Sequence, residues 1–232
     1  YWYFTKDSGE VVPIQEGDFY ADVPFSQYLI GTTPTEEKMY DIRDYGASVD
    51  AELNTDAINK AIDTCSAEGG GIVLVTGGAY RSGTINLKSN VTLCVAADSS
   101  IVASHNFDDF SGALIKAENA ENIKITGPGK ICGEGEYFVT APKKSPLFEP
   151  LEVSDIRTMR SEYRARIRFG IDGRPDAMVW LRGCEDVIVD NIVLENSMNW
   201  TLKLDQCDDV DVMNMVINNN RHVANTDGID IV

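Results

Sequence analysis

The 232-residue chain is 43% hydrophobic, enough for a sizeable core, and sets 37 acidic against 20 basic residues for a formal net charge of −17. That charge argues against nucleic acid or an anionic membrane surface as the main partner, and tight apolar runs such as Ile72-Val73-Leu74-Val75 are far too short to cross a bilayer. The five cysteines (Cys65, Cys94, Cys132, Cys184 and Cys207) show no Cys-x-x-Cys spacing and read as buried apolar positions, while His105 and His222 are too scattered for a metal site.

Residues 1–39 have no clear period. Tyr1, Trp2, Tyr3, Phe4, Phe19, Tyr20, Phe25 and Tyr28 make this an aromatic arm or small subdomain ahead of a main domain over 40–232. A helix is predicted over 54–65, where Ala57, Ile58, Ala61, Ile62 and Cys65 share one face. Asn54 or Thr55 is placed to cap its start, and Gly69-Gly70-Gly71 ends it. The glycine run is not read as a phosphate loop, because the order is helix then strand and no Gly-Lys-Ser/Thr follows.

After Gly71, short β-rich runs alternate with Gly, Asn and Asp: 72–76, 90–96, 122–126, 177–181, 187–189 and 210–212. Many short strands with regular turns indicate an all-β fold. Residues 185–193 and 208–216 are similar at an offset of 23, an offset shared by Cys184 with Cys207 and by Leu181 with Leu204. Residues 121–125 and 89–93 look like earlier copies with longer connections. A sandwich gives no reason for like residues at a fixed offset, whereas a solenoid stacks one repeat on the last. The predicted fold is therefore a right-handed parallel β-helix. Val187 lies over Val210 and Val189 over Val212 facing inward, Cys184 lies over Cys207, and Ile188 and Asp211 alternate outward. The helix is expected to cap the N-terminal end and protect its first edge.

Aligning 199–204 with 226–231 needs an offset of 27, so the last turn is longer by four residues. That register sets Asp227 beside Trp200 and Asp230 beside Lys203 on the outer surface. Two carboxylates, an indole and a lysine suit a sugar-binding surface, although Asn-Thr-Asp-Gly is also an ordinary turn. A second feature is Arg157, Arg160, Arg164, Arg166, Arg168 and Arg174, six of the 20 basic residues within 18 positions. The guanidinium groups, Arg164 and Arg166 above all, can fork onto the carboxylates of an acidic ligand, or pair with Glu152, Asp155 and Glu162.

Asn225-Thr226-Asp227-Gly228 resembles the Asn-Thr-Asp motif of glycoside hydrolase family 28, the polygalacturonases. Tyr45-Gly46-Ala47, the 54–65 helix, Glu68-Gly69-Gly70-Gly71, Tyr80-Arg81-Ser82-Gly83, Leu87-Lys88-Ser89-Asn90-Val91 and Arg174-Pro175 follow in that family's order, over roughly residues 40–232. The resemblance implies inverting hydrolysis of a pectic polysaccharide or oligogalacturonide outside the cytosol, secreted or periplasmic, with no metal or organic cofactor. An inverting enzyme needs a general acid on the leaving oxygen and a base activating water on the opposite face, about 6.5–9.5 Å apart. By resemblance Asp227 is a catalytic carboxylate of the water-activating set. Asp230 and Asn225 bind substrate or support the motif, with Trp200, Lys203, Arg164 and Arg166 as further substrate-binding candidates.

The family's Asp-Asp, Gly-His-Gly and Arg-x-Lys motifs do not follow before Val232, and Asp108-Asp109 and Asp208-Asp209 stand at other places. The chain is thus expected to be an N-terminal portion without the general acid, completed by further C-terminal sequence or a second chain. The alternative from another class is a non-catalytic β-helix that binds polysaccharide.

Overall fold

The computed structural model describes residues 3–5, 11–13, 37–138, 173–220 and 223–232. The chain divides into two compact units, Tyr1–Thr35 and Glu36–Val232. In the first, β1 (Tyr3–Thr5) pairs antiparallel with β2 (Val11–Pro13).

In the second unit, after the first strand and the helix, each circuit of the chain visits three sheets in turn and returns one strand further along. The first sheet holds β3 (Met39–Asp41), β4 (Gly71–Val75), β7 (Val91–Val95), β10 (Glu121–Thr126), β13 (Glu185–Asp190) and β16 (Asp208–Met213). The second holds β5 (Ala79–Ser82), β8 (Ser100–Ala103), β11 (Lys130–Cys132), β14 (Val193–Glu195) and β17 (Val216–Asn218). The third holds β6 (Ile85–Asn86), β9 (Ala113–Glu118), β12 (Ala177–Arg182), β15 (Trp200–Asp205) and β18 (Ile229–Ile231). Every pairing among them is parallel. This is the predicted right-handed parallel β-helix.

The offset of 23 is the observed register: Val187 pairs with Val210, Ile188 with Asp211 and Val189 with Val212. The earlier copies fall in line, with Ile123 beside Val187 and Lys124 beside Thr92. Like-on-like apolar rows fill the interior, where Ile123, Val187, Val189, Leu181 and Leu202 are buried. Each such side chain contributes about 1.5–3 kcal/mol by leaving water. At one corner of successive coils, Asn90, Asn122, Asp186 and Asp209 take left-handed backbone, with φ of 65°, 52°, 53° and 49°. Asn and Asp tolerate that region, and here they also link coils, as Asn122 Nδ2 donates to Asn90 Oδ1 at 2.9 Å.

Helix α1 (Thr55–Ala67) buries Ile58, Ala61, Ile62 and Cys65, the expected face. Its start differs from expectation. Asn54 occupies the cap position, but its side chain makes no cap hydrogen bond. Instead Asn54 Oδ1 accepts from Ser48 N at 2.8 Å in the preceding loop, while Asn54 Nδ2 donates to the Arg81 carbonyl at 3.4 Å and Thr55 Oγ1 accepts from Gly83 N at 2.7 Å, so both side chains tie the helix to the coils. At the N-terminal end of the stack β3 closes the first sheet by pairing with β4, and the helix caps the third, where Asn59 Oδ1 accepts from Asn86 N at 2.8 Å. The glycine run is a steric requirement: a Cβ on Gly70 would lie 2.4 Å from the Asn90 carbonyl oxygen. Cys65, Cys94, Cys132 and Cys184 are buried thiols and Cys207 is half-buried. No helix of the described residues is long and apolar enough to cross a membrane.

Candidate active site

The turns that lead from the second sheet to the third stack along one edge of the solenoid. The one that enters β18 carries Asn225 and Asp227, and its backbone is tied down at several points. Val223 is 3% exposed and anchors it in the interior. Arg174 Nη1 donates to the carbonyls of Met198 and Ala224, each at 2.6 Å, so one guanidinium joins two successive turns. Asn219 Nδ2 donates to Thr201 Oγ1 at 2.6 Å and to the Thr226 carbonyl at 3.1 Å, while Asn219 Oδ1 accepts from Ser197 N at 2.9 Å. Asn225 reverses the chain with a φ of 57°. The Asp227 and Gly228 carbonyls then accept from Thr201 N and Leu202 N at 3.1 and 3.2 Å. The exposed Asp227 carboxylate therefore projects from a backbone fixed on both sides.

The offset of 27 is also the observed one, since Leu202 pairs with Ile229 and Lys203 with Asp230. On the outer face of the third sheet, Lys116, Trp180, Lys203 and Asp230 form one row across four strands. Lys203 Nζ lies 4.2 Å from the Trp180 ring centroid and 4.8 Å from that of Trp200, and Lys116 Nζ lies 5.9 Å from Trp180 on the other side. Gly112 leaves room for the larger indole: a Cβ there would sit 3.2 Å from Trp180 Cζ3.

Asp230 is half-buried, and its Oδ2 is buried without a hydrogen-bond partner. Its pKa is raised, by burial first and then by the Asp227 charge, against the opposing pull of Lys203. Burial likewise pushes the Arg174 guanidinium down, and its Nη2 has no partner. The surface thus presents an exposed carboxylate beside one whose ionisation is disfavoured, next to an ammonium and two indoles. Such a surface can hold a sugar and take a proton from water. Among the described residues no group of three or more His, Cys, Asp or Glu could hold a metal ion.

Asp227, Asp230, Trp200 and Lys203 come together across β15, β18 and the turn that enters β18, the turn that also carries Asn225. Arg164 and Arg166 lie outside the described residues, as do Arg157, Arg160 and Arg168. Arg174, grouped with them by composition, is 7% exposed and braces the turn from within. Trp180 and Asn219 were not expected at all. The offset of 23 that pairs Leu181 with Leu204 also sets Trp180 beside Lys203, so the signal was present. Neither Asp-Asp pair joins the site. Asp208-Asp209 opens β16 in the first sheet. Asp108-Asp109 sits in the 3-10 turn before β9, three strands from β18, where Asp109 accepts from Ser104 Oγ and Asn106 Nδ2.

A family model described as glycosyl hydrolases family 28 matches residues 65–232. The chain is similar to the exo-poly-alpha-D-galacturonosidase of Dickeya chrysanthemi, 27% identical over 243 residues that cover 88% of this chain and 40% of the relative. It is similar to a polygalacturonase of Persea americana, 25% identical over 196 residues, 82% of this chain and 38% of the relative. The solved family 28 exopolygalacturonase of Yersinia enterocolitica shares the fold with a TM-score of 0.66 at 23% identity, over 87% of this chain and 42% of that one. The chain spans about two-fifths of the length of the curated relatives it matches.

Proposed function

Because the chain belongs to glycosyl hydrolases family 28, we propose that it supplies the water-activating side of a site that hydrolyses pectic, galacturonate-rich polysaccharide with inversion. The observation that carries this reading is Asp227, an exposed carboxylate on a turn held by Thr201, Arg174 and Asn219 at the mouth of the third sheet. In this reading the Asp227 carboxylate accepts a proton from water as that water attacks the anomeric carbon. A general acid on the opposite face protonates the leaving oxygen. Asp230, whose ionisation burial opposes, supports the site and contacts the sugar, with Asn225 and Trp200 on either side. We assign the general acid to residues outside these 232, so the isolated chain releases no reducing ends from polygalacturonate. We assign Arg164 and Arg166 to galacturonate carboxylates, and the working place to the outside of the cytosol, secreted or periplasmic, where such polymers are met.

The experiment is a reducing-end assay on the protein expressed from its whole reading frame. Asp227→Asn is expected to lower turnover by about 10²–10⁴-fold, the usual worth of a positioned base, with melting unchanged. Undiminished turnover would overturn the assignment.

A further inference from the structure

We propose that Lys203 sets the acidic specificity of this site: its ammonium receives the free carboxylate of the uronate unit next to the bond cut at Asp227. This rests on the hydrolase reading above and adds the group that tells an acidic sugar from a neutral one.

The first support is the way the ammonium is held. Lys203 Nζ sits 4.2 Å from the Trp180 ring centroid and 4.8 Å from that of Trp200. An indole face attracts a cation through its quadrupole. It does so without using the three N–H donors in hydrogen bonds to oxygen. A lysine held in this way is positioned and still able to bond an anion.

The second support is what Lys203 does not do. Asp230 is its register partner on β18. Yet Asp230 Oδ2 is buried without a hydrogen-bond partner. Among the described residues no ion pair involves Lys203. Its cationic neighbours on the same outer face are matched: Lys116 with Glu118 at 3.4 Å and Arg182 with Asp205 at 3.6 Å. In a chain of net charge −17, a half-buried ammonium caged by two indoles, which feels Asp230 but forms no ion pair among the described residues, suits an anionic ligand.

The third support is spacing. Lys203 lies on β15, one strand from β18 and the turn that carries Asp227. Neighbouring strands stand about 4.8 Å apart, the scale of one sugar unit. A chain lying along the solenoid axis with its scissile bond at Asp227 therefore brings the next unit over Trp200, the offset partner of Asp227, and the Lys203 ammonium reaches back to that same ring, 4.8 Å from its centroid. A free carboxylate there gains a charge-assisted hydrogen bond, and a methyl ester does not.

The test titrates the protein expressed from its whole reading frame, with Asp227→Asn in every form so that nothing is cut, with trigalacturonate and with its methyl ester, read by tryptophan fluorescence. The parent is expected to bind the acid about tenfold more tightly, a preference that shrinks with added salt. Lys203→Met, which keeps the stem and removes the charge, is expected to lose that preference and bind the ester as the parent does. Lys203→Arg is expected to retain it, which separates loss of charge from loss of fold. A Lys203→Met variant that keeps the parent's preference overturns the proposal and leaves the hydrolase reading standing. A parent that binds both forms equally, or neither, also overturns the proposal, while the hydrolase reading stands or falls on the reducing-end assay.

Discussion

Replacing Arg174 with methionine removes one buried guanidinium and little volume. In the parent, Nη1 donates at 2.6 Å to the carbonyls of Met198 and Ala224. A hydrogen bond from a charged group is worth about 1.5–3 kcal/mol, so two amount to roughly 3–6 kcal/mol. Against this stands the strain of keeping the charge inside. Burial depresses the Arg174 pKa, and Nη2 has no partner, so the substitution returns part of the desolvation penalty. The net loss is about 2–4 kcal/mol. For a domain of this size that lowers Tm by roughly 5–15 °C. Ala224 immediately precedes Asn225, so the damage should centre on the turn that carries Asp227. Amide exchange reads this directly. The N–H groups of Thr201 and Leu202, which donate to the Asp227 and Gly228 carbonyls, should lose protection well before those of Val187 and Val189 in the stack. A Tm within about 1 °C of the parent, with Thr201 and Leu202 still protected, would refute the reasoning.

Asp230 has a raised folded-state pKa, so the native chain holds this proton more tightly than the unfolded one. Its contribution to stability is most favourable below the ordinary carboxylate range and is lost as pH rises through the raised value. Asp230→Asn should therefore raise the urea midpoint near neutral pH and leave it unchanged in acid; a variant weaker than the parent near neutrality would contradict this. Burial pushes the Cys94 thiol up to about 12 and those of Cys65 and Cys132 up to about 11. Those three should resist a disulfide reagent in the native chain and react once urea exposes them, with Cys207, the half-buried thiol, as the native target. Rapid labelling of Cys94 before unfolding would count against the packing described. Gly70→Ala places a Cβ 2.4 Å from the Asn90 carbonyl oxygen at a φ of 103° and should cost about 2–4 kcal/mol, whereas a melting curve equal to the parent's would show that the helix can shift aside.

Strands of the first sheet were legible because they repeat at a fixed offset, with valine stacked on valine at 187 and 210 and at 189 and 212. Those of the second sheet were not. They are three or four residues long, as in Lys130–Cys132 and Val216–Asn218, too short for an alternating pattern to stand out. The site divides in the same way. Asn225, Asp227 and Asp230 sit together in sequence, and the offset of 27 brought Trp200 and Lys203 to them. Trp180 reaches Lys203 through stacking, and its meaning depends on geometry across coils. Arg174 was misread because composition groups it with neighbouring arginines, whereas tertiary contacts decide that this one is buried. Asn54 stands where a cap belongs, but a competing partner, Ser48 N, takes its side-chain oxygen.

The most direct test of Asp227 as the water-activating carboxylate is the anomeric configuration of the first products. Proton NMR follows polygalacturonate digested by the protein expressed from its whole reading frame. Water delivered by Asp227 from the face opposite the leaving group gives inverted, β-configured reducing ends first from an α-linkage, and Asp227→Asn abolishes that signal. Reducing ends that appear first as the α-anomer, or that form as fast in Asp227→Asn as in the parent, would contradict it.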